Sequence, residues 1–472
     1  MAQAELFTDA ALADGRSPRL VTPVSVLVRD GILVEIYDGE VPDRVPRNTV
    51  VTDASGATIV PAFVDCHSHL TLPGGARWME HGTDPTPDLL AAAEENAAAL
   101  MRSGVRWVRD VGSVRRADAP GGKERALALP LRDQWNRRRD YPYVRAAGTW
   151  LSRVGTLPDA RLSVEAADAD QLLAAASQQL DEGADLVKLY LDGPDADVAP
   201  WTVNEVRRVV EAVHARGATV AAHATRLANC RLAADAAVDT LEHGFVIDAD
   251  TAAILAANGT TLVATLTALT SRIEFSATTS ISRFTDPASA RASRDLLEQA
   301  RHSIMTAHAA GVSIAAGSDS GGGSVRAGHL AWEITELVAA GLQPWEALAA
   351  ATWRGGDVLG ITDAGRISPG TPARFILIHG DPLTDPAATW RIWRTIGLLR
   401  PGARRPRIEL SACQVTGKPQ EMSIHQSYIS YRRPCLRIVA IPVKLSAGTK
   451  VNSHGIRRAQ ADEYWLRRRA NL

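Results

Sequence analysis

The sequence contains little cysteine, little lysine and no long apolar run. Four cysteines in 472 residues are too few for a disulfide framework, and such usage is typical of a reducing compartment. No stretch approaches the roughly 18 consecutive apolar residues of a membrane-spanning helix. The first residues lack the basic and apolar segments of a signal peptide. We therefore expect a cytoplasmic protein that does not associate with membranes.

The chain also lacks a net charge of either sign. A formal charge of −1 gives no general reason to expect nucleic-acid binding. Charge is nevertheless uneven, because residues 411–472 hold 11 basic and 3 acidic residues. We predict that this segment is a basic, weakly ordered C-terminal extension. Before it, the only lysines are Lys123 and Lys188.

A repeated pattern predicts a parallel α/β fold. Ala-, Leu- and Arg-rich helical stretches alternate with short β-branched runs, and a Gly or Ala often stands between them. The runs lie at residues 58–65, 103–110, 141–148, 182–189, 216–223, 236–243, 258–265 and 310–317. Eight such units favour a (β/α)₈ TIM barrel over residues 58–360. The rival is an open doubly wound sheet, but no Gly-rich phosphate loop follows the first strand.

The flanking segments predict a second, smaller unit. Residues 23–38 contain two β-rich runs around Asp30 and Gly31, which is a hairpin signal. Residues 365–380 are again short, β-rich and interrupted by turns. We infer a small β-sandwich domain assembled from residues 1–57 and 361–410.

Metal-competent side chains stand at the predicted strand ends. Asp65, His67 and His69 alternate at the end of the first barrel strand and therefore share one face. His223, His243 and Asp319 end later strands, and Lys188 lies near the end of another. The carboxyl ends of barrel strands meet at one mouth, where active sites of this fold are built. The sequence thus predicts a metal site at this mouth.

Lys188 stands within an apolar strand, in a body that otherwise uses arginine. A buried ammonium without a partner tends to lose its proton, and a neutral amine can capture carbon dioxide as a carbamate. That anion has two oxygens and can bridge two divalent ions. The alternative is an ion pair with Asp185 or Asp192.

These residues resemble the metal-dependent amidohydrolase superfamily, which includes dihydroorotase, phosphotriesterase, the zinc-dependent Xaa-Pro dipeptidases and imidazolonepropionase. The resemblance covers residues 20–410. It rests on Pro61-Ala62-Phe63-Val64-Asp65-Cys66-His67-Ser68-His69, Val108-Arg109-Asp110-Val111-Gly112, Lys188, His223-Ala224, Leu241-Glu242-His243-Gly244, Gly317-Ser318-Asp319, Gly365-Arg366-Ile367 and Pro369-Gly370.

The resemblance implies a binuclear centre of two divalent ions, with zinc expected. His67, His69, Lys188 and Asp319 would hold one ion, and carboxylated Lys188, His223 and His243 the second. Asp319 would move the proton, which makes it the catalytic residue. The implied reaction is hydrolysis of an amide, lactam or ester bond of a small molecule by a metal-activated hydroxide.

The sequence departs from the dipeptidase-like members in two segments. Their Gly-Gly-His after the third strand corresponds here to residues 148–155, and their His-Ala-Tyr corresponds to residues 223–225. Arg153 and Arg226 are candidates to bind a substrate carboxylate, and solvated surface arginines are the alternative. Tyr190 is a third candidate substrate-binding residue. With Trp78 and Trp150 it would form an apolar wall or pack beneath loops.

Two other functions remain open at this stage. The first is a mononuclear enzyme, either imidazolonepropionase-like or a deaminase, although Arg226 occupies the position where such deaminases usually have Glu. The second is a non-catalytic oligomeric scaffold of the same fold. A degenerate scaffold would be expected to lose ligands, whereas this chain keeps all of them.

Overall fold

The computed structural model describes residues 4–39, 45–46, 48–157, 162–195 and 197–397, together with the backbone of residues 425–430 and 437–442. Contacts divide the chain into two units, residues 1–403 and 404–472. In the second unit the description is limited to one antiparallel strand pair. The rest of the predicted basic extension lies outside the described residues.

The strands in chain order are β1 (Ala4–Leu12), β2 (Val21–Arg29), β3 (Ile32–Asp38), β4 (Val50–Asp53), β5 (Ala57–Pro61), β6 (Phe63–Ser68), β7 (Val105–Asp110), β8 (Arg115–Arg116), β9 (Arg125–Ala126), β10 (Tyr143–Ala146), β11 (Trp150–Arg153), β12 (Ser163–Ala166), β13 (Leu186–Tyr190), β14 (Thr219–Ala224), β15 (Thr240–His243), β16 (Thr261–Ala264), β17 (Ile314–Ala316), β18 (Phe375–His379), β19 (Ile392–Thr395), β20 (His425–Ser430) and β21 (Arg437–Pro442).

The helices are α1 (Thr86–Arg102), α2 (Ala128–Trp135), α3 (Ala169–Asp181), α4 (Val203–His214), α5 (Leu227–Asp235), α6 (Ala249–Asn258), α7 (Leu266–Thr278), α8 (Ser282–Thr285), α9 (Pro287–Ala309), α10 (Leu330–Ala340), α11 (Pro344–Ala350) and α12 (Trp353–Val358). No described helix has both the length and the apolar character needed to cross a membrane.

Parallel strands provide the frame for the site. One sheet has the order β10-β7-β6, and a second has the order β12-β11-β13-β14-β15-β16-β17. Every pair within these two sheets is parallel. Isolated parallel bridges link Ala147 to Leu186 and Ser68 to Ser320, so both ends of the shorter sheet contact the longer one. This confirms the predicted parallel α/β fold.

A separate seven-stranded sheet combines both flanks of the parallel region. Its order is β19-β18-β5-β1-β2-β3, with β4 beside β1. The hairpin of β2 and β3 turns at Asp30 and Gly31, whose φ angles of 54° and 78° are the left-handed values of a tight two-residue turn. The predicted hairpin is therefore confirmed. The run predicted as the first barrel strand, residues 58–65, is divided instead: β5 joins this sheet and pairs with β18, and β6 begins the parallel sheet.

Local sequence explains the helices that separate the parallel strands. Helix α4 begins with a capping box between Thr202 and Glu205, and it buries a stripe at helical spacing (Val206, Val209, Val210 and Val213). Helix α6 begins at the cap Asp248 and ends at Gly259, whose φ of 69° suits glycine. Helix α4 packs on β14. Helices that connect parallel strands in this way leave the carboxyl ends of the strands at one edge of the sheet.

Candidate metal centre

His67, His69 and Asp319 converge at the carboxyl end of strands β6 and β17. Their candidate ligand atoms lie within 4.8 Å of one another, and all three residues are buried. Both His67 Nε2 and His69 Nε2 lie 3.5 Å from Asp319 Oδ1. The Asp319 amide donates to the carbonyl oxygen of His67 at 2.8 Å, which ties the two strand ends together. Two imidazoles and a carboxylate form a donor set suited to a divalent metal ion.

The remaining two histidines continue this cluster. The rings of His67 and His243 have centroids 4.7 Å apart, and those of His243 and His223 are 4.5 Å apart. Strands β14 and β15 are in register with Ala224 opposite His243, which places both histidines at one sheet edge. The structure therefore brings together the four histidines singled out in the sequence.

Each of the four imidazoles has one ring nitrogen engaged by the protein. His67 Nδ1 lies 2.7 Å from Glu242 Oε2, and His69 Nδ1 lies 2.7 Å from the Gly112 carbonyl oxygen. His243 Nδ1 lies 2.7 Å from Thr265 Oγ1, and His223 Nε2 lies 3.1 Å from an oxygen of Asp192. The second nitrogens of His67 and His69 both face Asp319 Oδ1, at 3.5 Å. A partner that fixes the ring and its tautomer is typical of metal-binding histidines.

Burial also favours neutral imidazole at two of these positions. It holds the pKa of His67 and of His243 well below the ordinary value, and nearby positive groups, Lys188 among them, act in the same direction. A neutral imidazole offers the lone pair that coordination requires.

An ion pair lies beneath the histidines. Glu242 and Arg109 are buried, and Arg109 NH2 donates to Glu242 Oε1 at 2.7 Å. Arg109 also donates to the carbonyl oxygen of Cys66 and to Thr240 Oγ1. Burial alone would raise the pKa of Glu242, but Arg109 and Lys188 outweigh it, so that pKa lies below its ordinary value. Glu242 is therefore a carboxylate that holds His67 from behind.

Lys188 Nζ is buried and has no hydrogen-bond partner among the described residues. The two carboxylates considered as its partners are engaged elsewhere: Asp185 accepts from Arg132 and Arg145, and Asp192 contacts His223. Burial lowers the pKa of Lys188 to about 8, although the charge of Glu242 opposes that shift. A buried, unpartnered amine is costly to keep charged. These observations favour a metal-ligand role for Lys188 over an ion pair with Asp185 or Asp192.

The backbone is strained at two candidate ligands. The φ angles are 70° at His243 and 52° at Asp319, values that side chains other than glycine rarely adopt. Such conformations cluster at functional sites, where the surrounding structure holds them.

Asp65 lies on the same strand face as His67 and His69, but it is not part of the group formed by His67, His69 and Asp319. Its carboxylate accepts from the Ser318 amide at 2.9 Å and from the Ser318 hydroxyl at 2.6 Å. Burial raises the pKa of Asp65 to about 6, although the hydrogen bonds from Ser318 act to lower it. Asp65 thus joins β6 to the segment that carries Asp319.

Aromatic rings line one side of the histidines. Trp150 packs edge-on against His69 with centroids 5.0 Å apart, and Tyr190 stacks on His223 at 4.1 Å. Trp78 and Tyr190 each lie near Trp150, at 6.4 and 6.3 Å. The three aromatic residues named in the sequence therefore form a continuous wall.

Arg153 and Arg226 contact the segment between β13 and α4. Arg153 donates to the Pro200 carbonyl oxygen, lies 3.6 Å from a carboxylate oxygen of Glu205, and stacks over Trp201. Arg226 donates to the carbonyl oxygens of Gly193 and Asp195. Their part in substrate binding stays a prediction.

Sequence reasoning assigned no role to Arg109, Glu242 or Thr265, and it named Asp192 only as a possible ion-pair partner of Lys188. A signal existed for two of them, because Arg109 and Glu242 are charged residues inside apolar strand segments. Asp192 and Thr265 carry no such signal, since their partners are distant in the chain.

Comparison with known proteins places the chain in a family. The Amidohydrolase family profile matches residues 58–398, which is most of the chain. The chain belongs to the amidohydrolase family. An uncharacterised relative from Mycobacterium tuberculosis is 30% identical over 322 residues, covering 67% of this chain and 78% of that protein. The predicted family is confirmed.

Other amidohydrolase relatives have described activities. An imidazolonepropionase from Salinispora arenicola is 26% identical and covers 79% of this chain and 90% of its own length. A crystal structure of a Xaa-Pro dipeptidase with bound methionine in its active site is 24% identical, with a TM-score of 0.69, and covers 84% of this chain and 99% of that one. The latter likeness concerns the fold.

Proposed function

We propose that this amidohydrolase is a metal-dependent hydrolase that cleaves an amide, lactam or ester bond of a small molecule. One observation carries the proposal. In four clustered imidazoles the protein contacts one ring nitrogen at 2.7–3.1 Å, and beside them the buried Lys188 Nζ has no hydrogen-bond partner among the described residues. This donor set fits borderline-soft divalent ions, of which zinc is the one we expect.

The fold would support this role as a closed (β/α)₈ barrel. Strands β6, β7, β10, β13, β14, β15, β16 and β17 would form it over residues 58–360, with the two isolated bridges as the points of closure. The other sheet would be the β-sandwich domain of residues 1–57 and 361–410, and it also includes β5 (Ala57–Pro61) from the start of the barrel range. Candidate ligands would then share the carboxyl-end mouth of the barrel.

Two ions would share this mouth. His67, His69 and Asp319 would hold one, and His223 and His243 the other, with N-carboxylated Lys188 contacting both. Carboxylation joins the neutral Lys188 amine to carbon dioxide with loss of one proton, so the orphaned nitrogen becomes a carbamate with two oxygen donors.

Bound divalent ions would lower the pKa of a water molecule and polarise the carbonyl group of the substrate. The chain would supply the remaining functions. Asp319 would take up a proton on its carboxylate and deliver it to the leaving group. Glu242 and Asp192 would orient the imidazoles, and the wall of Trp78, Trp150 and Tyr190 would exclude bulk water from one side.

A mononuclear reaction of the imidazolonepropionase type is the second candidate. Among the described residues, His67, His69 and Asp319 alone form a compact three-ligand group. Curated relatives with that activity cover most of this chain. In this alternative Lys188 would not be carboxylated.

Metal analysis of the purified, metal-loaded protein would test these alternatives. Two equivalents per chain, with hydrolysis in a screen of N-acyl amino acids, dipeptides, cyclic amides and lactones, would support the binuclear proposal. One equivalent would favour the mononuclear candidate. Protein without stoichiometric metal and without hydrolysis would indicate a non-catalytic scaffold.

A further inference from the structure

Asp192 lies two residues beyond strand β13, where its side chain is buried. Both carboxylate oxygens are fully engaged. Oδ1 accepts from the Thr225 amide at 3.1 Å and from Asn229 Nδ2 at 2.7 Å. Oδ2 accepts from Thr225 Oγ1 at 2.5 Å and contacts His223 Nε2 at 3.1 Å. Three of these four contacts come from groups that donate to the carboxylate, so Asp192 acts as an acceptor on both oxygens.

The backbone after Asp192 is held by hydrogen bonds from the side chain of Arg226. Arg226 NH1 donates to the carbonyl oxygens of Gly193 and Asp195, at 3.1 and 2.8 Å. On the far side of Asp192, the Leu191 amide donates to the His223 carbonyl oxygen at 3.0 Å. The carboxylate is therefore fixed relative to strand β14 and cannot follow His223 if that ring rotates.

The four imidazoles differ in the charge of the group behind them. His69 and His243 are backed by a neutral carbonyl and a neutral hydroxyl, whereas His67 and His223 are backed by carboxylates. Under the proposed function, His67 and His223 belong to different metal ions. Each ion would thus have one imidazole whose other nitrogen contacts a carboxylate.

We propose that Asp192 is a positioning residue that sets the tautomer of His223 and thereby the occupancy of the second metal position. This inference rests on the proposed binuclear function. Because Asp192 accepts hydrogen bonds on both oxygens, His223 would carry its proton on Nε2, the nitrogen that faces Asp192. Its Nδ1 lone pair is then left for a metal ion. Asp192 would act through its contact with His223.

The substitution Asp192→Asn tests this assignment because the amide is nearly isosteric. Two donors surround the Oδ1 position, so an amide NH₂ there would face other donors. The NH₂ group would instead occupy the Oδ2 position, where the Thr225 hydroxyl can also accept. There it donates to His223 Nε2, moves the imidazole proton to Nδ1 and blocks coordination through that atom.

Thr225→Val is the matched control. It removes one hydrogen bond to the same carboxylate but leaves the contact between Asp192 and His223. Full-length wild type and both variants would be loaded with Zn²⁺ and titrated with a competing chelator, and the bound equivalents would be counted. We expect two equivalents for wild type and Thr225→Val, and an affinity of Asp192→Asn for the second ion lowered at least about tenfold.

The outcomes separate the two claims. Two tightly bound equivalents in both wild type and Asp192→Asn would overturn the role of Asp192 and leave the binuclear function intact. A single equivalent in wild type would overturn the binuclear function and this inference with it. If Asp192→Asn does not fold, ¹⁵N NMR of the His223 ring in metal-free wild type at pH 8 decides instead. A proton on Nε2 is expected, and a proton on Nδ1 would contradict the assignment.

Discussion

Glu242 and His67 are 175 positions apart in the chain, yet Glu242 Oε2 lies 2.7 Å from His67 Nδ1 in the buried interior. The other oxygen of Glu242 accepts hydrogen bonds from Arg109 and from Thr240. Both oxygens of this carboxylate are therefore engaged. A single buried carboxylate therefore orients a candidate ligand and balances the charge of Arg109 at the same time.

Glu242→Gln should destabilise the fold and weaken the first metal position. The amide NH₂ would face a donor in either orientation, and Arg109 would remain charged without a partner. We expect a loss of about 3–5 kcal/mol in the free energy of unfolding, measured by denaturant titration, together with loss of bound metal.

Glu124→Gln is the control for that change. Glu124 pairs with Arg115 but is 59% exposed, so its loss should change the free energy of unfolding by less than about 1 kcal/mol. A Glu242→Gln protein as stable as this control and fully metal-loaded would show that the buried pair does not support the site.

Asp319→Asn should keep the fold but lose turnover. An amide oxygen can still contact a metal ion, whereas it cannot accept and release a proton as a carboxylate does. We expect kcat on a substrate from the hydrolysis screen to fall by roughly 10²–10⁴-fold. Metal content should be measured in the same preparation. A variant with bound metal and near-normal kcat would remove Asp319 from the proton-transfer role.

Lys188→Ala and Lys188→Arg distinguish the carbamate from a cation. If Lys188 is carboxylated, Lys188→Ala should lose at least one metal equivalent, and millimolar acetate or propionate should partly restore metal and activity by filling the space. Lys188→Arg should not respond, because guanidinium stays charged and cannot form a carbamate. Full activity of Lys188→Arg would contradict the carbamate and leave the mononuclear alternative.

Glu333 should make stability depend on pH. It is buried in α10 and accepts from the Leu266 and Thr267 amides at the start of α7. Burial raises its pKa to about 7, above an unfolded value of about 4.3. The folded protein thus holds a proton that the unfolded chain has released, and the associated stability is lost as pH rises from about 4.3 through 7.

Glu333→Gln removes this titration. The free energy of unfolding of wild type should therefore fall relative to Glu333→Gln between pH 5 and pH 8, by up to about 3 kcal/mol. Glu298→Gln, at a side chain that is 72% exposed, should instead follow the wild-type curve. Parallel curves for wild type and Glu333→Gln would contradict a raised pKa at Glu333.

Local periodicity predicted the parts of the fold that depend on neighbours in the chain. Helices α4 and α6 lie between predicted strand runs, where helical stretches are expected, because a cap and a buried stripe are local features. The meeting of the strand ends that carry His67 and Asp319 follows from the general rule that carboxyl ends of barrel strands share one mouth.

Long-range hydrogen bonds were beyond such reasoning. The sequence indicates His223 as a candidate metal ligand, but it does not indicate that Asp192 contacts His223. Asp192 lies close to Lys188 in the chain, and the sequence therefore suggests it as an ion-pair partner of that lysine. Arg153 and Arg226 were candidates for a carboxylate ligand, while the structure has them donating to main-chain carbonyl oxygens of one segment. Which of several nearby donors an acidic group selects depends on tertiary geometry.

The bridge between Ser68 and Ser320 joins residues 252 positions apart, and a candidate ligand stands beside each of them. The donor set of His67, His69 and Asp319 therefore does not exist in any chain that ends before residue 319. During synthesis the ribosome releases the early histidines long before their carboxylate partner is made. Tight capture of an ion at this position would consequently follow the docking of the segment after β17 beside β6. A product truncated before Asp319 would leave its histidines without the third ligand.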